Sequence, residues 1–442
     1  MLKLLVFVLS SVSAANILCI FPTPAYSHQS VFAAYVDYIA AAGHNVTVIT
    51  PMPRGVQYVL EIDCSKPTLL NERANYADES TVTAINYTPL IDMVYNQMKN
   101  KNVTDILQNN GIKFDLIVCE AYLSILLMFG FLYNAPIIRL SSGHGTNENF
   151  AAMNKNVLYN ASVHPNVWRS NFNLSHSEAA LTEEKLSNEW ELLEQIQENR
   201  INQFGSQIPP LKELKKKIVL TFINVSPAFD NNRPVSENVQ YLGGLHLKHP
   251  RYIRDNTLKR FINQHNKILY MSFGSILNVS MFNTTIVNKI ISMFSKLPYN
   301  ILWRVDESIH QHYNVPSNVY TSNWFPQRDV LNHLNIKLFI TQGGVQSIDE
   351  AIDSGVPMLC IPIAGDQFYN SYKIKQLRMG ETASLLHLEE IDKLIIHMMN
   401  NSEMYIANIH DHKKLISDTL VGSLEKSLWY TNRVLRLGRL LL

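Results

Sequence analysis

Two doubly wound, Rossmann-like α/β domains facing across a cleft are what this 442-residue sequence predicts. Three observations carry that reading. The length exceeds what one hydrophobic core usually serves. Short apolar runs alternate with helix-patterned segments in two separate blocks. Between the blocks, FDNNRPVSENVQYLGG mixes Pro, Gly and Asn without periodicity. With 46% hydrophobic and 17% charged residues the chain can fill two cores, and 38 Lys plus Arg against 37 Asp plus Glu leave a net charge of +1. No window carries a basic run interleaved with aromatics, which argues against nucleic acid as a partner.

The amino terminus, MLKLLVFVLSSVSAAN, offers one lysine, an apolar run from Leu4 to Leu9 and small residues at Val-Ser-Ala. That tripartite pattern predicts a signal peptide over 1–15, entry to the ER and an extracellular location. Nine Asn-x-Ser/Thr triplets, at Asn45, Asn86, Asn102, Asn160, Asn173, Asn224, Asn278, Asn283 and Asn400, lend weak support to a glycoprotein. No later window holds the ~20 consecutive apolar residues of a spanning helix. Cys19, Cys119 and Cys360 sit inside apolar runs and read as free core thiols, whereas Cys64 is undetermined.

The first block opens with NILCIF (16–21), a loop PTPAYS, an amphipathic HQSVFAAYVDYIAAAG and a second run NVTVIT. This is a βαβ unit, with Ser27 placed to cap the helix and Gly43 to stop it. Strands are expected at FDLIVCEA (114–121), APIIRLSS (135–142) and KIVLTFINVSP, with a polar, helix-prone stretch over 145–215. The domains are therefore 16–232 and 246–425, joined by a linker over 233–245 and followed by a helix over 426–442 able to pack back on the first domain. In the second block KILYMSFGS, NILWRVD, NVYTSNWFP, IKLFIT and VPMLCIP alternate with helical segments.

The chemistry concentrates in the second block. The loop after the first strand lacks Gly-x-Gly-x-x-Gly, which removes most support for a dinucleotide-dependent oxidoreductase. IKLFIT, by contrast, ends in QGG and enters a helix near Val345. Gly343 and Gly344 let backbone approach a ligand, and a helix start offers unpaired N–H groups to an anion. Ser347 adds a hydroxyl donor, and Glu350, one turn on, can accept from ribose hydroxyls. In WFPQ, Trp324 offers a face to a base and Gln327 an amide. In GDQFYN, Asp366 and Gln367 can hold sugar hydroxyls. Taken singly, each has a bland alternative: a glycine turn, a solvated helix residue, a core tryptophan, an N-cap aspartate.

Together, WFPQRDVLNHLNIKLFITQGGVQSIDEAIDSGVPMLCIPIAGDQFYN resembles the signature of the UDP-glycosyltransferases, enzymes of GT-B fold that move a sugar from a uridine diphosphate donor to a small lipophilic acceptor. The resemblance implies that Trp324 stacks on uracil, Gln327 contacts the uridine, Gly344 and Ser347 hold the diphosphate, Glu350 the ribose, and Asp366 with Gln367 the transferred sugar. Ser275 in MSFGS matches a further nucleotide contact. It places the general base at His28, and at Glu120 the carboxylate that orients it, where most relatives have aspartate. Gln342 stands where most relatives have a histidine at the diphosphate, keeping an N–H donor without the capacity for charge. This TQGG form, Glu120 and SLWYTNRVLR are similar to the baculovirus ecdysteroid UDP-glucosyltransferases.

The resemblance implies an inverting transfer of glucose from UDP-glucose, a co-substrate rather than a cofactor, to an ecdysteroid hydroxyl, with no metal invoked. Segments 80–110 and 145–200 are expected to build the acceptor pocket. The competing readings are another lipophilic acceptor or UDP-hexose, a nucleotide-sugar epimerase, and a secreted steroid-binding protein without turnover.

Overall fold

The computed structural model describes residues 14–65, 80–108, 111–153, 159–275 and 282–441. All but the last two residues of the expected signal peptide, and the triplet at Asn278, lie outside them. Among the described residues thirteen strands form two sheets. The first holds β1 (Asn16–Ile20), β2 (Asn45–Thr50), β3 (Leu60–Asp63), β4 (Leu116–Glu120), β5 (Ile137–Ser141), β6 (Ile218–Ile223) and β7 (Val239–Tyr241). The second holds β8 (Ile268–Ser272), β9 (Asn300–Arg304), β10 (Val319–Ser322), β11 (Ile336–Thr341), β12 (Met358–Cys360) and β13 (Gly380–Thr382). Every pairing in both is parallel.

The orders are β3-β2-β1-β4-β5-β6-β7 and β10-β9-β8-β11-β12-β13. Each reverses direction once, between β1 and β4 and between β8 and β11. At such a switch point the connections leave to opposite sides and open a crevice at the strands' carboxyl ends. The central strands read as apolar runs because helices cover both faces, so ILCI, LIVC and ILYM have no solvated side to pattern. Each sheet accordingly divides two cores. One around Val31, Tyr35 and Phe222 lies beneath the first helix, and one around Ile91, Leu126 and Ile201 lies opposite.

Three expectations need correction. The first helix spans Tyr26–Ala41 with Ala25 at its N-cap and no side-chain cap, so Ser27 falls inside the first turn. Gly43, at φ +96°, does end it. The segment expected as linker contains β7, which pairs with β6 as the edge of the first sheet. Its three residues carry no periodicity to read; pairing to an existing edge makes them a strand. The last helix starts at Ser423 rather than 426, and it packs on the first domain: Tyr35 Oη meets Thr431 Oγ1 at 2.8 Å, His44 Nε2 meets Asn432 Oδ1 at 2.9 Å, and Val434 enters that domain's core. All four cysteines, Cys64 included, are free and buried, and burial pushes the Cys64, Cys119 and Cys360 thiols up to about 12. Among the described residues no helix is long and apolar enough to cross a membrane.

Candidate active site

The switch point of the first sheet brings His28 and Glu120 together. His28 lies in the first turn of the helix that follows β1, and Glu120 closes β4 beside it. His28 Nδ1 is 3.0 Å from Glu120 Oε1. Glu120 is 1% exposed and His28 31%, so a buried carboxylate holds one side of a ring that is otherwise partly exposed. A carboxylate can only accept here, which puts the hydrogen on Nδ1 and leaves Nε2 a base. Tyr26, Ser27 and Ser30, on the same helix start, line the cleft itself.

The second sheet's switch point builds the facing wall. Between the domains lies a cavity of about 280 Å³ lined by Ser275, Trp324, Gln327, Gln342, Gly344, Ser347 and Glu350. Trp324 is half exposed, with the Tyr26 ring edge-on at 5.0 Å and the Arg304 guanidinium over it at 5.3 Å. Gln327 Nε2 donates to Ser347 Oγ at 2.9 Å and Glu350 Oε2 at 2.7 Å, and its Oε1 accepts from Tyr270 at 3.1 Å. One amide thus sets both side chains, leaving the Ser347 hydrogen to donate toward the cleft. Burial raises the Glu350 carboxyl above its ordinary range, against the lowering effect of its bond from Gln327.

The two glycines of QGG have different duties. Gly344 is the N-cap of the helix Val345–Ser354, which no side chain caps, so its first N–H groups are open to an anion. A Cβ on Gly344 would meet nothing nearer than Gln342 Nε2 at 3.5 Å, consistent with a residue bordering the cleft. Gly343 has φ +86°, and a Cβ there would press Ser371 Oγ at 2.9 Å; it shapes the turn and admits the next helix rather than lining the cavity. Gln342 reaches the cleft, with its Oε1 buried and unpartnered.

Asp366 and Gln367 begin the helix Gln367–Gln376, outside that cavity's lining. Asp366 sits at the N-cap, yet its side chain caps nothing; Oδ2 accepts from Asn370 Nδ2 at 3.0 Å. Gln367 spends its carbonyl on the N–H groups of Ile363 and Ala364, at 2.9 and 3.0 Å, which leaves its NH₂ as the group to offer. Burial raises the Tyr122 hydroxyl, two residues beyond Glu120, and the Asp366 charge adds to the rise. A Cβ on neighbouring Gly365 would lie 3.3 Å from the Trp168 ring of the first domain.

Sequence reasoning overlooked Tyr26 and Arg304. Arg304 ends β9 and donates to the Gly274 carbonyl, bracing the turn before Ser275, and its position at a strand's carboxyl end was the available signal. Among the described residues no group of three or more His, Cys, Asp and Glu is arranged to hold a metal ion.

Comparison with known proteins agrees with this geometry. The sequence profile of the family "UDP-glucoronosyl and UDP-glucosyl transferase" matches residues 190–438. An ecdysteroid UDP-glucosyltransferase of Lacanobia oleracea granulosis virus is 50% identical over 98% of this chain and 97% of its own. One of Autographa californica nuclear polyhedrosis virus is 37% identical over 97% and 90%. Among solved structures, a UDP-glucose: anthocyanidin 3-O-glucosyltransferase in complex with UDP superposes with a TM-score of 0.65 at 15% identity, covering 96% of this chain and all of that one. A glucosyltransferase from Polygonum tinctorium capable of glucosylating indoxyl gives the same score, identity and coverage. At such identity these two share the fold alone.

Proposed function

Because the chain belongs to the UDP-glucoronosyl and UDP-glucosyl transferase family, we propose that it transfers glucose from UDP-glucose to a hydroxyl of an ecdysteroid, with inversion at the anomeric carbon. The observation that carries the mechanism is the His28–Glu120 pair, set on a helix start whose Tyr26, Ser27 and Ser30 line a cleft bounded on its far side by an uncapped helix start. The acceptor oxygen forms its bond to the anomeric carbon while the bond from that carbon to the UDP oxygen breaks in line. Its proton passes to His28 Nε2, Glu120 steadies the imidazolium, and the N–H groups beginning at Val345 take up the charge on the leaving diphosphate.

Support for the acceptor comes from its share of the first domain and from the 50% identical relative. Beyond Tyr122 and Trp168, Tyr87, Leu186, Trp190 and Leu193 line a small apolar pocket drawn from the two segments expected to build it. Three polar atoms on its lining residues, Glu148 Oε2, Trp168 Nε1 and Trp190 Nε1, are buried without a partner. At about 30 Å³ the pocket takes one edge of a polyhydroxylated acceptor rather than the whole, with those unpaired atoms facing its hydroxyls. A binder without turnover would have no use for an oriented base. The secretory location belongs to the same proposal and rests on the amino-terminal pattern.

The test is sugar transfer. Purified protein, labelled UDP-glucose and ecdysone are expected to yield a conjugate of inverted anomeric configuration, and His28→Ala to abolish it. Binding of UDP-glucose with no conjugate from a folded native chain would refute the acceptor.

A further inference from the structure

The loop after β5, SSGHGT (141–146), belongs to the first domain yet bonds to both helices that frame the donor cleft. Ser141, Ser142, His144 and Thr146 are all buried. Gln346, in the first turn of the Val345–Ser354 helix, donates through Nε2 to the Ser142 carbonyl at 2.8 Å. His144 Nε2 lies 2.7 Å from Asn370 Oδ1, in the first turn of the Gln367–Gln376 helix. Gly143 lets the loop approach so closely: a Cβ there would stand 3.1 Å from Val345 Cγ1.

Asn370, 0% exposed, is where these bonds converge. Its Nδ2 donates to the Gly343 carbonyl at 2.9 Å and to Asp366 Oδ2 at 3.0 Å. Both partners are acceptors, so the amide cannot be flipped without setting oxygen against oxygen. Its Oδ1 must then accept, and His144 Nε2 carries the hydrogen. The carbonyl before the diphosphate helix and the carboxylate beside the sugar position are therefore both set by one amide, and that amide's remaining atom is satisfied from the other domain. His144 is itself fixed, its carbonyl accepting from Ser141 Oγ at 2.6 Å and from the Tyr122 hydroxyl.

We propose that His144 is a positioning residue for the donor sugar, orienting Asp366 across the domain interface through Asn370, so that the sugar-holding geometry is complete only when the first domain is seated. The proposal rests on the reading of Asp366 as a sugar contact. If the domains separate, Asn370 Oδ1 loses its partner and the amide is free to turn, releasing Asp366 and Gly343 together. Gly343 keeps its own N–H bond to Thr341 Oγ1 at 3.3 Å, and the contacts to uridine through Trp324 and Gln327 and to the diphosphate through the N–H groups from Val345 use neither of the amide's bonds, so UDP without a sugar should register little of the change.

His144→Phe is the informative variant, because the His144 ring packs against Phe229 at 6.0 Å and Tyr369 at 5.1 Å and phenylalanine keeps an aromatic ring there while removing the donor. Dissociation constants of UDP-glucose and of UDP are measured for the native chain, His144→Phe, His144→Gln and Asp366→Ala, with the melting temperature of each. The expected result is about tenfold weaker UDP-glucose for His144→Phe, the cost of one buried acceptor left unpaired, with UDP unchanged within about twofold. His144→Gln, which retains an N–H donor, recovers part of the loss, and Asp366→Ala reproduces it. Equal weakening of both ligands by His144→Phe, or no weakening of either, with Asp366→Ala still selective, overturns the role of His144 and leaves the sugar contact standing. An Asp366→Ala variant that does not distinguish UDP-glucose from UDP overturns the sugar contact, and the proposal with it.

Discussion

Glu120→Gln separates orientation from charge in the catalytic pair. Glutamine has the same shape, and its carbonyl can accept from His28 Nδ1 as Glu120 Oε1 does at 3.0 Å, so the ring stays where it is. What disappears is the negative charge facing the imidazolium that forms as the acceptor proton arrives. With charge centres roughly 4 Å apart, the attraction is about 4 kcal/mol at an effective dielectric of about 20. Burial of Glu120 favours that dielectric, while the partial exposure of His28 lets solvent screen some of it. A loss of about 2–3 kcal/mol is left, on the order of 30- to 150-fold in kcat.

The assay is steady-state transfer to ecdysone at saturating UDP-glucose. Glu120 is absent from the donor cavity's lining, so KM for UDP-glucose should hold within about twofold. Since the carboxylate acts through the imidazole, the double variant with His28→Ala should be no slower than His28→Ala alone. Two results would refute the reasoning: a kcat within about threefold of native for Glu120→Gln, or single losses that multiply in the double variant.

Two further outcomes test the donor wall. Trp324→Ala removes a ring face between Tyr26 and Arg304, and a stacked base is worth about 1–3 kcal/mol, so calorimetry should give UDP binding roughly 5- to 150-fold weaker; an unchanged constant would remove the stacking role. Glu350 accepts from ribose most strongly as the carboxylate, and burial raises its pKa, so UDP-glucose affinity should fall as pH drops through a point above the ordinary glutamate range and be retained at higher pH. Titration over about pH 5 to 8 should show this slope in the native chain and a flat, weaker profile in Glu350→Gln; the same slope in the variant would assign it to another group.

Both sheets were legible because their strands are buried on two faces and so are written as apolar runs, which helix-patterned segments cannot imitate at that length. What escaped were the short edge strands β3, β7 and β13. Val239–Tyr241 is held at the sheet edge by β6 and by the tail helix, where Lys426 donates to the Tyr241 carbonyl at 2.9 Å, and nothing local in ENVQYLGG requires a strand. Ser27 misled for a related reason. Its residue type suits an N-cap, but the cap falls two residues earlier, at Ala25, in a turn fixed by Gln29 bonding the Phe21 and Thr23 carbonyls at 2.8 Å each. Tertiary bonds decided both, and no window of sequence contains them.

The candidate site divides along the same line. Trp324, Gln327, Ser347 and Glu350 were readable as one group because a single stretch of chain carries them at spacings that a strand, a turn and a helix convert into proximity. His28 and Glu120 lie 92 positions apart and meet only because β1 and β4 are neighbours in the sheet. The His144–Asn370 bond spans 226 positions and two domains, and nothing in SSGHGT announces it. Residues that contact a ligand through local geometry leave a pattern in the sequence. A residue that acts on the ligand through another domain's amide leaves none, and only the assembled interface shows that the donor wall depends on the first domain for its shape.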